Sequence, residues 1–117
     1  MSYYFEVSGE TVWDPSLRIG KWYLSFAEAA AELVQRPTGL TPSDDDTCTV
    51  NVQVFRQFVD GLLECYASTR HPVQHGLMRG VLLTSLVILE RGGVVIAPKS
   101  EREASLLGEV EIFARSM

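Results

Sequence analysis

Hydrophobic positions recur along this chain with two different periods. Tyr3–Val7 and Thr11–Trp13 are rich in aromatic and β-branched residues, and Ser8-Gly9-Glu10 between them is a turn signal. A short N-terminal β-hairpin is expected there. The period lengthens after Asp14-Pro15. Asp is a strong N-cap and Pro suits the first helical position, so a helix is expected to begin at this pair. Ile19, Trp22, Tyr23, Phe26, Ala30, Leu33 and Val34 follow at three- and four-residue steps as its apolar face. Gly20 bends or interrupts its first turn, and Pro37 stops it.

Residues 37–49, with two prolines, a glycine and Asp44-Asp45-Asp46, show no period and are expected to form the longest loop. Asn51 then reads as an N-cap, with Val50 and Phe55 placed as the partners of a hydrophobic staple. Val52, Phe55, Phe58, Val59, Leu62, Leu63 and Tyr66 form the cleanest amphipathic face in the chain.

His71-Pro72 opens a segment, Val73–Arg91, that is apolar on nearly all sides between Val81 and Leu89, the mark of a central helix. Gly76 and Gly80 on it stand four apart. They are expected to let a neighbouring backbone or ring approach closely, so that a methyl group at Gly80 would overpack the contact. Arg91 and Gly92-Gly93 form a C-terminal stop. Val94–Ala97 has the composition of a third short strand that could add to the hairpin. Ser100-Glu-Arg-Glu103 matches a capping box, and a last helix is expected to run to about Arg115 with Leu106, Leu107, Val110, Phe113 and Ala114 inward. The pattern predicts one mainly α domain over residues 1–117: a four-helix bundle around the third helix, with a small N-terminal β-hairpin.

Composition narrows the picture. A chain of 117 residues with 46% hydrophobic and 21% charged residues is long enough for one core and short for two. Gly80–Leu89 spans ten residues, against about 20 for a helix that crosses a bilayer, so a buried core helix and no membrane partner are expected. Met1-Ser-Tyr-Tyr-Phe-Glu has no basic segment leading into an apolar one, and a cytoplasmic location with reduced thiols is expected. Residues 1–46 carry eight acids against three bases, which is the whole of the net charge of −5. That disfavours a nucleic-acid partner and would attract a basic protein.

Few residues point to chemistry. His71 and His75 share a helix face at i, i+4, but Pro72 follows the first His where a zinc-peptidase helix has Glu, so they are weak metal candidates. The three aspartates lack the alternating acids and central glycine of a calcium loop. Together with Glu28 and Glu32 they read as an acidic partner-binding surface. Cys48 and Cys65 lack metal-type spacing, and neither a nucleophile elbow nor a phosphate loop is present. The dense aromatics, among them Trp13, Trp22 and Tyr23, read as core packing, a small-molecule pocket or an interface. No cofactor is expected.

Trp13-Asp14-Pro15, Phe55…Phe58-Val59-Asp60, His71-Pro72-Val73 and Arg91-Gly92-Gly93, in that order, resemble small single-domain bacterial proteins of uncharacterised function. The resemblance implies a helical domain and carries no active residue. In size and acidity the chain is also similar, by class analogy, to immunity proteins that neutralise toxins. The acidic first part, the absence of catalytic motifs and the compact size make a non-enzymatic interaction factor, immunity or antitoxin-like or a small accessory subunit, the expected function. A small-molecule or metal binder and a homodimer joined by its exposed aromatics are the alternatives.

Overall fold

Phe5 and Trp13 stack with ring centroids 5.0 Å apart and begin the core. They sit on β1 (Tyr4–Val7) and β2 (Glu10–Trp13), the antiparallel hairpin the sequence predicts. Ser8 and Gly9 turn it with positive φ at both positions, the conformation that matches the twist of a two-residue hairpin. The computed structural model describes residues 1–117 and adds two strands to this pair. They are β3 (Leu40–Pro42) and β4 (Thr47–Val50), and the sheet order is β2-β1-β4-β3, with β1 and β4 parallel. The stretch expected as a loop over 37–49 is thus mostly a second hairpin. Tyr3, Phe5, Trp13, Leu40, Cys48 and Val50 are buried on one face of this sheet, while Tyr4, Thr47 and Thr49 point away from the core.

Helix α1 (Leu17–Val34) starts later than Asp14 predicts. Ser16 is its cap, and the Ser16 hydroxyl accepts from the Ile19 N–H at 3.3 Å. Gln35 closes it in the left-handed conformation, two residues before Pro37. Helix α2 (Val52–Ser68) begins as expected at Asn51, whose side chain accepts from the Val54 N–H at 3.2 Å. Its predicted face is inward: Phe55, Phe58, Val59, Leu62 and Leu63 are all buried, each such side chain worth about 1.5–3 kcal/mol in removed apolar surface.

Helix α3 (Pro72–Arg91) is long and apolar enough to cross a membrane by length and composition. Here Leu82, Leu83 and Leu86–Leu89 are enclosed in the core, so its C-terminal half is the buried core helix expected. Its N-terminal half is not: an added Cβ at Gly76 or Gly80 would meet nothing within 4 Å. The expected close approach is found elsewhere, at Gly20, where the Tyr3 Cβ stands 2.8 Å from where a Cβ would lie. Residues 94–97 form no strand.

The last helix breaks at Gly108 into α4 (Glu101–Leu107) and α5 (Val110–Ala114). The Ser100 half of the expected capping box is present: Ser100 Oγ accepts from the Glu103 N–H, whereas the buried Glu103 carboxylate accepts from the Lys99 N–H at 3.1 Å, one residue before the cap. The chain is helix-rich with a small N-terminal mixed sheet, and the sheet supplies one wall of the core.

Candidate functional site

Helix α1 carries two apolar stripes and buries only one. Gly20, Tyr23 and Ala27 face the core. Ile19, Trp22, Phe26 and Leu33 lie on the other stripe, with Trp22 and Phe26 each 56% exposed. With Ala29 this outer stripe steps by three, four, three and four residues, the spacing of a helix-pairing face. The predicted aromatic group is therefore divided. Trp13 and Tyr23 are core residues whose rings meet edge to face at 5.6 Å, and Trp22 is on the surface.

Across from the outer stripe stands Leu77 of α3, 77% exposed, with the exposed Val73 one turn before it on the same helix. The two helices leave a groove with two adjoining hollows of about 360 and 390 Å³ that share Phe26, Gly76, Leu77 and Val81. The glycines account for its depth, since no side chain fills the α3 wall at those two turns. Sequence reasoning missed Ile19, Phe26, Leu33, Val73 and Leu77 as surface residues. The spacing that could have revealed them was present but was read as the core-facing pattern.

Polar chemistry in the groove is sparse. The Tyr23 hydroxyl shares a 2.6 Å hydrogen bond with Ser85 beneath the floor, and burial raises its pKa well above the ordinary 10.0. The Thr84 hydroxyl donates to the Gly80 carbonyl of its own helix at 2.7 Å. A small-molecule site usually converges a few free polar groups on its ligand; these two are already engaged, which leaves the single hydroxyl of Ser116.

The five predicted acids do not form one cluster. Asp44–Asp46 make the β3–β4 turn, where Asp45 accepts from the Ser43 and Thr47 hydroxyls and Asp46 adopts a positive φ. Those donors hold the Asp45 carboxyl below its ordinary range. Glu28 accepts from the buried Thr38 hydroxyl at 3.1 Å, just before β3, at the other end of that hairpin. Asp44 and Glu32 are exposed and make no side-chain contact of this kind.

The chain belongs to DUF6086, a family of unknown function. The family model matches residues 1–117. No curated protein and no solved structure matches the chain.

In this DUF6086 chain no group of three or more His, Cys, Asp or Glu residues is placed to hold a metal ion. His71 is the exposed N-cap residue of α3 and makes no cap hydrogen bond. His75 stacks on Tyr66 at 4.1 Å, and its Nε2 lies 2.9 Å from the Tyr66 carbonyl and 2.7 Å from that of Thr69. Both partners are acceptors, so Nε2 carries the proton and donates to the end of α2. Arg102 donates to the Ala67 and Thr69 carbonyls there as well. Cys48 is fully buried, and burial pushes its thiol up to about 12.

Proposed function

We propose that this protein is a non-enzymatic interaction factor whose contact surface is the apolar face shared by α1 and α3. The observation that carries the reading is that Ile19, Trp22, Phe26, Leu33, Val73 and Leu77 are large, apolar, 45–77% exposed and drawn from facing elements. Their combined area is roughly 600–700 Å², taking ordinary side-chain areas. A monomer typically leaves its largest apolar patch at about 300–600 Å², and larger ones mark interaction sites. Aromatic anchors beside a vacant groove suit a helix laid into it. The net charge of −5, with Glu32 free on α1, supports attraction of basic groups, as a contribution to encounter rate more than to affinity.

Site-specific photo-crosslinking in an expressing cell tests this reading. A photoreactive residue at Trp22 or Leu77 is expected to give discrete protein adducts. The same residue at Thr49, on the outer face of the sheet, is expected to give none. Adducts absent from Trp22 and Leu77, or equal at all three positions, would overturn it.

A further inference from the structure

The charges on the exposed side of α1 are arranged against the helix that carries them. Arg18 and Lys21 occupy its first two turns, and Glu28 and Glu32 its last two. Anions favour a helix N-terminus and cations a C-terminus, so both sets stand at the less favourable end. Glu28 and Glu32 are also four apart, a repelling spacing, and Arg18 and Lys21 are three apart. None of the four makes an ion pair within the chain. A basic first half and an acidic second half are, however, complementary to the same helix run in the opposite direction.

Resting on the interaction reading above, we infer that the occupant of the α1/α3 face is a second copy of this chain, related by a two-fold axis near the middle of α1. Antiparallel pairing about Ser25 sets Arg18 of each copy beside Glu32 of the other, so one kind of ion pair forms twice. The stripe then runs against itself in reverse: Phe26 lies beside its own counterpart near the axis, Trp22 falls by Ala29 of the other copy and Ile19 by its Leu33. The space beside Gly76 and Gly80, open to any added Cβ, receives the Trp22 and Phe26 rings of the second copy. Each copy thereby covers its stripe and its groove and pairs its Arg18 and Glu32 in one contact.

Sedimentation equilibrium of the full chain at physiological salt, from micromolar to sub-millimolar concentration, tests the inference. Wild type is expected to move from monomer to dimer with no larger species. Arg18→Glu and Glu32→Arg are expected each to weaken the dimer by about tenfold, because each converts two attractive pairs into repulsive ones. The double variant Arg18→Glu/Glu32→Arg is expected to return to near wild-type affinity. Both side chains are exposed and free of intramolecular partners, so a folded state is expected for every variant, checked by circular dichroism. A wild-type monomer throughout overturns the self-pairing. So does a dimer indifferent to the single swaps, or one that the double swap does not rescue. In the crosslinking experiment, adducts holding only other proteins would refute self-pairing while leaving the interaction reading intact; absence of adducts refutes both.

Discussion

Tyr23 on α1 and Ser85 on α3 share a buried hydrogen bond of 2.6 Å. It joins the two helices from below and sets the walls of the groove above it. Because both hydroxyls are cut off from water, removing one leaves the other without this partner. Tyr23→Phe and Ser85→Ala are each expected to lower stability by about 1–2 kcal/mol in urea denaturation. The double variant is expected to cost less than the sum of the two, since no orphaned hydroxyl remains. Additive losses would mean that the hydroxyls do not depend on each other.

Two glycines should respond with opposite signs. An added methyl at Gly80 meets open space and removes backbone freedom from the unfolded chain, so Gly80→Ala is expected to stabilise by about 0.4–1 kcal/mol in dilute solution. At Gly20 the same change drives a Cβ into Tyr3 and is expected to destabilise by about 1–3 kcal/mol. Melting temperatures that fall for Gly80→Ala would place a packed neighbour at the open end of α3.

Alkaline pH should weaken the fold through Cys48. Its thiol ionises at an ordinary 9.0 when unfolded and at about 12 when buried, so the folded chain keeps a proton that the unfolded chain has lost. This contribution is whole below pH 9 and is lost as pH rises towards 12. The loss reaches about 1.4 kcal/mol per pH unit, and Tyr23 adds to it in the same direction above its ordinary 10.0. Urea midpoints at about pH 8 and about pH 10.5 should differ accordingly. A thiol reagent at the lower pH should modify Cys65 quickly and Cys48 only on unfolding. Equal rates at the two cysteines would contradict the burial.

Local signals in the sequence held where one residue does one job. Asn51 caps α2, Ser100 caps α4, and Ser8-Gly9 turns the first hairpin. The second hairpin went unread because Pro42 and three aspartates look like loop, although Thr47-Cys48-Thr49-Val50 alternates outward and inward as a half-buried strand does. Its turn is held by Asp45, and its place beside β1 is a tertiary matter that no local pattern encodes. The outer stripe of α1 posed a different difficulty. A helix with two apolar stripes satisfies the same period twice, and only the position of its neighbours decides which one is core. Tyr23 and Ala27 won that place, leaving Trp22 and Phe26 outside. Gly76 and Gly80 share the ambiguity, since a glycine face admits a neighbour equally well from inside the chain or from another molecule.

Trp22 offers the most direct measurement, because it is the exposed member of a pair whose other tryptophan, Trp13, is buried. In a Trp13→Phe background its fluorescence reports the α1/α3 face alone. The account predicts a solvent-like emission in dilute solution that moves to shorter wavelength as concentration rises, along the same curve as dimer formation. An emission that stays solvent-like while dimers form would mean that the copies meet elsewhere, and would contradict the claim that this face is where they pair.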